Sequence, residues 1–371
     1  MPEIPKKIHI VWVSKPIPKD YLLSIVNLAH LAKKSGFDFN LWMDKDSDFH
    51  NTVANQDIFI PQGLINIRNI QTLLINARND PFYKTSEIQN LGGEKQLESC
   101  LGREAVGNAN PAARKDLLIP EILRQEGGYF FDADTIFLIH YIDFPAVQPQ
   151  LQSDDAEHGF KAGVVVFDEL GKSFSGGNDI LGSIENHEIL KQLIIEILTT
   201  YKQFDKHPSL LSFYGALDEK NDLKKHQLTL MDKKRKTQEE PPEPGYFTED
   251  RFNLTIKGSG PEALCNTLQK YSKEHHIDNL QTFTFPIARV DGKRRLRGKS
   301  QGGGKCFEVM GIKVQSNSDK NWIKQEPEES CSANKQTNFE YHTSPSFFSK
   351  NSAKDNEQPP AKKLKQTFNA S

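Results

Sequence analysis

The stretch GGYFFDAD at residues 127–134 places two carboxylates, Asp132 and Asp134, directly after a short apolar run. The preceding residues, PAARKDLLIPEILRQE at 111–126, predict a helix that ends at the two glycines, since glycine readily adopts the backbone conformation that follows a helix. YFFDAD at 129–134 then predicts a short buried strand whose final residues leave the sheet with the two carboxylates. Ligands of open α/β sheets gather beyond the carboxyl ends of the strands. The stretch therefore predicts a ligand site where this strand leaves its sheet.

The beginning of the chain predicts the same class of fold. IHIVWV at 8–13 is typical of a buried strand, DYLLSIVNLAHLAKK at 20–34 has apolar residues at helical spacing, and FNLWMD at 39–44 is typical of a second strand. A further helix is predicted near 65–79. A strand, helix and strand of these lengths form a βαβ unit, so we expect an α/β fold in which helices cover a parallel sheet.

The spacing of the two aspartates suggests a chemistry. Along an extended chain Asp132 and Asp134 point to the same side, and paired carboxylate oxygens suit Mg²⁺ or Mn²⁺. Such a cation would hold a diphosphate. The sequence places no basic residue close to the pair, so we expect the cation to come from solution. The alternative is that the pair begins a solvated turn, where aspartate is common.

Composition excludes several classes of function. The 371 residues, 36% of them hydrophobic, are enough for one large domain with appendages. A net charge of -2 gives no basic field, so no nucleic acid partner is expected. The 4 cysteines form no CxxC pair, which is typical of a reducing compartment. No apolar run approaches the ~20 residues of a membrane span, and the first residues run into a strand, so we expect a soluble protein without a leader.

Two blocks of the sequence resemble a known family. ARKDLLIPEILRQEGGYFFDAD at 113–134 is similar to the sugar-binding region of DxD glycosyltransferases, specifically the glucosyltransferase domains of the large clostridial cytotoxins and related bacterial effectors. IPKKIHIVWV at 4–13 resembles the start of those domains. Weaker similarities follow in GGNDILGSIENHEILKQL at 176–193, KGSGPEAL at 257–264 and SNSDKNW at 316–322. The resemblance implies a GT-A-like, Rossmann-like mixed sheet that binds nucleotide sugars and carries helical insertions.

The resemblance also implies roles for individual residues. The residues implied to bind the sugar donor are Val11, Trp12, Asp116, Asp132, Asn178 and Trp322. Trp12 would stack on the uracil of a UDP-sugar, Asp116 would bind the sugar hydroxyls, and Trp322 would lie on a loop that closes over the donor. Asp132 and Asp134 are implied to be catalytic and to hold Mn²⁺ or Mg²⁺. Asn186 and His187, which follow Asn178, are expected to start a helix.

The activity implied by the resemblance is a metal-dependent, retaining glycosyl transfer. The donor would be a UDP-sugar carrying glucose or N-acetylglucosamine, and the acceptor a hydroxyl of a protein such as a host small GTPase. The protein would then be a toxin-like effector that a bacterium secretes into a host cell cytoplasm. The sequence offers no obvious general base, which agrees with a retaining reaction assisted by the leaving phosphate.

Other interpretations stay open at this point. Trp12 also fits a core aromatic, and Asp116 also fits a residue that complements the first turns of its helix. The family has an arginine where this chain has Ile119, and Arg114 or Arg124 are candidates to replace it. Loss of that arginine would suit a catalytically degenerate module that binds a nucleotide sugar or a protein partner. A GDP-mannose-dependent glycan mannosyltransferase shares the DxD block and is the third alternative.

The remaining expectations concern the domain limits and the appendages. We predict a catalytic domain over residues 1–323, with a charge- and proline-rich exposed insertion at about 217–250, and a disordered basic and polar tail at 324–371. The basic run KRRLRGK, which begins at Lys293 and ends at Lys299, is typical of a solvated loop. The alternative is that it binds phosphate, nucleic acid or, weakly, an acidic membrane surface. PPAKKLKQ, from Pro359 to Gln366, resembles a nuclear-import signal.

Overall fold

The fold is described from a computed structural model. It describes residues 2–13, 16–56, 58–107, 110–138, 150–163, 165–167, 174–206, 255–286 and 305–316. The chain divides into the units Met1–Gln325 and Glu326–Ser371, and every described residue belongs to the first. The predicted insertion, basic run and import signal, together with Trp322, lie outside the described residues, and the predicted domain boundary stays a prediction.

Of the three sheets formed by the described residues, the largest mixes parallel and antiparallel strands. The strands, in chain order, are β1 (Lys7–Val11), β2 (Asp38–Met43), β3 (Asn66–Asn69), β4 (Gly128–Phe131), β5 (Ile136–Leu138), β6 (Phe160–Ala162), β7 (Val165–Phe167), β8 (Phe174–Gly176), β9 (Ile180–Ser183), β10 (Lys305–Val309) and β11 (Ile312–Ser316). The main sheet has the order β3-β2-β1-β4-β9-β6. Strands β3, β2, β1 and β4 are parallel, whereas β9 is antiparallel to both β4 and β6. Sheets β10-β11-β5 and β7-β8 are antiparallel.

The four parallel strands end at a common edge. We call it the carboxyl edge and define it by the last residues of these strands, Val11, Met43, Asn69 and Phe131. Crossover helices make this arrangement possible, because each must carry the chain back before the next parallel strand can begin. The residues that follow each strand, including Trp12 and Asp132, therefore emerge on the same side of the molecule.

Eight α-helices are assigned within the described residues. They are α1 (Lys19–Lys34), α2 (Asp46–Gln56), α3 (Ile70–Asn79), α4 (Ser86–Leu91), α5 (Gly93–Gly102), α6 (Pro111–Glu126), α7 (Glu188–Lys206) and α8 (Pro261–Glu274). Short 3-10 or π helices lie at Pro81–Lys84, Arg103–Gly107, Thr255–Ser259 and Leu280–Phe283. None of these helices is long and apolar enough to cross a membrane.

Both faces of the main sheet are covered, one by helices and the other by a helix and two strands. Phe130 belongs to a first core that includes apolar residues of α3, α5, α6, α7 and α8. Its neighbours Tyr129 and Phe131 belong to a second core with α1, β10 and β11. Successive strand side chains point to opposite faces, so a strand between two covered faces must be apolar throughout. This explains why all four residues of β4 are buried.

The predicted α/β class with a mixed, helix-covered sheet is confirmed. Strand β1, helix α1, strand β2 and helix α6 form where the sequence predicts them, within one or two residues. Strand β4 also forms, but it ends at Phe131, three residues before the predicted end. The helix predicted over 65–79 is wrong in its first part, because Asn66–Asn69 instead pairs with β2 as the edge strand β3. Asn69 then starts α3 by accepting a hydrogen bond from the backbone N–H of Gln71. Propensity alone could not separate these two elements.

Candidate functional site

The two aspartates of the DxD motif leave the sheet in a turn. The backbone N–H of Thr135 donates to the carbonyl of Asp132 over 2.9 Å, which closes the turn. The extended geometry predicted for Asp132 and Asp134 is therefore wrong, because this hydrogen bond bends the chain between them. The chain does turn at the two aspartates, as the alternative interpretation predicts. It is not fully solvated, however, since both aspartates are half-buried.

A lysine provides the cation that the sequence near the motif lacks. Lys115, in the first turns of α6, places its Nζ 2.5 Å from Oδ1 of Asp132 and 3.6 Å from Oδ1 of Asp116. Burial lowers the pKa of Lys115, but the charges of Asp132, Asp116 and Asp134 outweigh it, and the pKa is raised. The expectation that the counter-cation comes only from solution is thus corrected, because the fold itself supplies one positive charge.

Asp116 and Asn178 meet at this site from different parts of the chain. Asp116 lies on α6 and is 4% exposed, and Asn178, between β8 and β9, donates a hydrogen bond to its carboxylate. Gly260 closes the other side, since a Cβ there would lie 3.1 Å from Oδ2 of Asp116. Oδ1 of Asp116 has no hydrogen bond within the described residues. The Asp116 carboxylate is therefore enclosed by its neighbours, yet its Oδ1 accepts no hydrogen bond from the described residues.

Burial has the largest effect on the carboxylates of the site. Burial raises the pKa of Asp116 to about 7, against the opposing effect of Lys115. Burial also raises the pKa of Asp132, with Lys115 opposing the shift and Asp179 adding to it. Asp179 is held close because the backbone N–H of Asp132 donates to its carbonyl over 2.9 Å. Clustered carboxylates with raised pKa values favour binding of a cation or of hydroxyl donors.

Val11 and Trp12 lie at the end of β1 on the carboxyl edge. Val11 is buried, whereas Trp12 is half-buried and packs at a ring-centroid distance of 5.5 Å against Tyr21 of α1. Part of the Trp12 ring also contacts the second core. Trp12 is thus anchored against the core, and part of its ring stays exposed at the carboxyl edge. Its predicted stacking on a base stays a prediction.

The two candidate arginines have separate structural partners. Arg124 is fully buried at the far end of α6, where its guanidinium binds Glu121 at 2.8 Å and Asp80 at 2.7 Å. Arg124 therefore cannot replace the family arginine at the carboxyl edge. Arg114 does lie near that edge and forms a bidentate ion pair with Asp44, which follows β2. Ile119 itself is 1% exposed in the first core.

Sequence reasoning missed Lys115 and the Arg114–Asp44 pair. Both basic residues stand directly before Asp116 in the motif, so a signal was present in the order Arg-Lys-Asp. The predicted residues that the structure brings together are Asp116, Asp132, Asp134 and Asn178 around Lys115. His9 is a structural residue, since both of its ring nitrogens are hydrogen-bonded in the core.

The carboxylates of the motif fit a divalent cation only together with a further ligand. Among the described residues no group of three or more His, Cys, Asp or Glu side chains is close enough to hold a metal. Asp132 and Asp134 would thus supply two carboxylates and leave the other positions to a ligand. Mg²⁺ is commonly held in this way, by one or two carboxylates and substrate phosphates. The residues fit a cation that binds together with a diphosphate.

Solved structures that resemble the chain include toxin glycosyltransferase domains, the class that the sequence resemblance indicated. The UDP-bound glycosyltransferase domain from the YGT toxin has a TM-score of 0.46, 11% identity, and coverage of 76% of this chain and 79% of that chain. The PaToxG glycosyltransferase has a TM-score of 0.41 and 14% identity, with coverages of 75% and 76%. The catalytic domain of alpha-toxin from Clostridium novyi has a TM-score of 0.41 and 12% identity, with both coverages at 76%.

At these identities, and with TM-scores below 0.5, the likeness carries no argument about the reaction or the substrate of this chain. No family model matches the chain, and no curated protein matches it.

Proposed function

We propose that the protein is a glycosyltransferase that moves a hexose from a UDP-sugar to a hydroxyl of a protein acceptor. The observation that supports this most is the meeting of Asp116, Asn178 and Asp132 around Lys115 at the carboxyl edge. These residues come from α6, from the segment before β9 and from the end of β4. Carboxylates and an amide at this edge of an α/β sheet suit a ligand that carries hydroxyls and phosphates.

Each group has a chemical role in this proposal. Asp116 and Asn178 bind sugar hydroxyls, because a carboxylate accepts and an amide both donates and accepts hydrogen bonds. Trp12 stacks on the uracil, and the neighbouring Val11 lines the base. Asp132 and Asp134 hold the diphosphate through Mn²⁺ or Mg²⁺. The cation supplies charge neutralisation where the leaving diphosphate gains negative charge.

The stereochemistry and the acceptor follow from the family resemblance of the sequence. The reaction is proposed to retain the configuration of the sugar, with glucose or N-acetylglucosamine as the transferred group. The acceptor is proposed to be a host protein such as a small GTPase, which is modified by a secreted effector in the host cytoplasm. In this proposal the leaving phosphate takes the proton of the acceptor hydroxyl, as suits a retaining reaction.

The test is nucleotide release from a panel of UDP- and GDP-sugars with Mn²⁺ or Mg²⁺. It needs no acceptor, because water takes the place of the acceptor hydroxyl. We expect metal-dependent release from one UDP-sugar, and a loss of about 100-fold in the Asp132→Asn, Asp134→Asn double variant. The matched control is Asp38→Asn, which removes an exposed carboxylate at the opposite end of β2 and should leave release unchanged.

Other outcomes of the same experiment would decide between the alternatives. Release from GDP-mannose alone would favour the mannosyltransferase and contradict the proposal. Binding of a UDP-sugar in calorimetry without any release would favour the degenerate binding module. Equal nucleotide release by the double variant and the wild-type chain would show that the two aspartates take no part in the mechanism.

A further inference from the structure

Lys115 is held at the centre of the acidic cluster by contacts to more than one carboxylate. Its Nζ donates a short hydrogen bond to Oδ1 of Asp132. The 3.6 Å to Oδ1 of Asp116 is longer than a hydrogen bond. The ring centroid of Phe130 lies 5.9 Å from the same nitrogen. The ammonium therefore occupies a position next to Asp132 that a divalent cation would also favour.

Asp116 shows that the cluster is incomplete without a ligand. Its side chain is 4% exposed, and Oδ1 has no hydrogen bond within the described residues although Lys115 lies beyond it. A buried carboxylate oxygen without a donor is costly, and native proteins rarely keep one. A hydroxyl placed between Asp116 and the ammonium would satisfy it. Oδ1 of Asp116, which is held only by the 3.6 Å ion pair with Lys115, can thus accept a hydrogen bond from a ligand beside the proposed diphosphate position.

Two positive ions next to one carboxylate repel each other. A divalent cation that binds Asp132 therefore competes with the Lys115 ammonium unless the ammonium can move. Lysine can move, because its charge sits at the end of a flexible four-carbon stem. A diphosphate next to the cation would offer the ammonium a new partner, since lysine binds phosphate well as a point charge.

We propose that in the free protein the Lys115 ammonium occupies the position on Asp132 where a divalent cation would bind. When the cation binds, the Lys115 side chain moves and its ammonium pairs with the donor diphosphate. This inference rests on the proposed function and adds a donor-binding residue to it. Lys115 thereby couples the two ligands: it opposes the metal alone, and it favours the metal together with the nucleotide. Binding of the cation and binding of the donor become cooperative.

The test compares Lys115→Met with the wild-type protein in calorimetric titrations. Methionine keeps most of the stem and removes the charge. With Mn²⁺ alone, we expect the variant to bind roughly tenfold more tightly, because the competing cation is gone. With UDP at saturating Mn²⁺, we expect binding to weaken roughly tenfold to a hundredfold, the loss typical of one charged hydrogen bond. Uridine, which has no phosphate, should bind both proteins equally.

Controls separate this role from a structural one. Lys191→Met removes an α7 lysine that pairs with Glu188 and should change neither affinity. If the methionine variant fails to fold, Lys115→Gln carries the same test, because its amide still donates to Asp132. Unchanged Mn²⁺ affinity in the folded neutral variant would contradict the competition between Lys115 and the divalent cation. Unchanged UDP affinity would contradict the contact between Lys115 and the diphosphate.

The inference and the proposed function fail in different ways. A wild-type protein that binds no nucleotide with Mn²⁺ present would refute the donor-binding role of Lys115 and the proposed function together. A wild-type protein that releases sugar from UDP-sugars, with equal Mn²⁺ and UDP affinities in the neutral variant, would refute only the inference.

Discussion

His9 shows how a polar residue in the core is fixed by its partners. The indole N–H of Trp42 can only donate, so it identifies Nδ1 of His9, 3.1 Å away, as the acceptor. Nε2 then carries the proton and donates to the carbonyl of Gly127 over 2.9 Å. Burial lowers the pKa of His9 to about 4, despite the opposing effects of this hydrogen bond and of Glu126. The imidazole is therefore neutral and links three elements.

This arrangement predicts acid sensitivity. The unfolded chain protonates His9 near the ordinary histidine pKa of 6.5, and the folded chain near 4, so the unfolded state binds more protons between these values. We expect the free energy of unfolding to fall by about 1.4 kcal/mol per pH unit from this residue as the pH drops through that window. Urea titrations of the wild-type protein and His9→Gln, from pH 7 to pH 4.5, measure the difference.

The variant should be less stable at pH 7 by about 1–3 kcal/mol, because Trp42 or Gly127 loses a partner. The difference in unfolding free energy between the two proteins should narrow as the pH falls, since only the wild-type protein carries the histidine. Nearby charges on Glu126, Lys7 and Arg68 are present in both proteins. Parallel curves over the whole range would show that the pKa of His9 is not lowered.

At the scale of elements, the junction between α6 and β4 depends on two glycines. Gly127 has a φ of 62° and Gly128 a φ of 95°, values that favour glycine. The helix end is capped from outside: the side chain of Lys7 donates to the carbonyl of Glu126, and the backbone N–H of Asn186 donates to the carbonyl of Arg124. The junction brings α6 back against β4, and this places Lys115 beside Asp132.

Gly128→Ala should be strongly destabilising for reasons of space as well as backbone angle. A Cβ at Gly128 would lie 2.5 Å from the carbonyl oxygen of Lys7 and 3.1 Å from Nε2 of His9. We expect about 1–2 kcal/mol from the positive φ and about 1–3 kcal/mol more from the forced shift of β1. Gly36→Ala is the matched control, since Gly36 has a φ of 75° but nothing within 4 Å of its Cβ position.

Chemical denaturation of the two alanine variants measures the contrast. In Gly36→Ala the free energy of unfolding should fall only by the contribution of the unfavourable backbone angle. Equal losses in both variants would mean that β1 yields to the methyl group at no cost, and that the close packing of β4 on β1 is unimportant.

At the scale of the whole molecule, β4 joins the two cores. Phe130 lies in the first core and Phe131 in the second, and both are at most 1% exposed. The strand also pairs with β1 on one side and β9 on the other. Loss of packing on either face therefore weakens the same central strand, and we expect the described part of the unit to unfold cooperatively.

Phe130→Ala and Phe131→Ala test this expectation on adjacent residues. Each should lower the free energy of unfolding by about 3–5 kcal/mol, because each removes a buried phenyl ring. Tryptophan fluorescence and far-UV circular dichroism should report the same shifted midpoint in each variant. Separate transitions, with one core melting before the other, would contradict a single cooperative unit.

Much of the architecture could be predicted from local sequence. Helix α6, the two glycines and strand β4 form as predicted, because helical spacing, glycine stops and apolar runs act over short distances. The start of α7 directly after His187 was also predicted. Strand β3 was not, since Asn66–Asn69 becomes a strand only through pairing with β2. The donor-binding role of Trp322 stays a prediction.

The sequence by itself determined the α/β class, the helix and strand of the motif, and the presence of carboxylates at a strand end. These features follow from hydrophobic spacing and from backbone preferences of single residues. Only the tertiary structure decided which charges meet. Lys115 faces Asp132, Arg124 is buried with Glu121 and Asp80, and Asn178 reaches Asp116. Apart from the Arg124–Glu121 pair, which lies within α6, these contacts join distant segments, and their geometry depends on how the helices pack on the sheet.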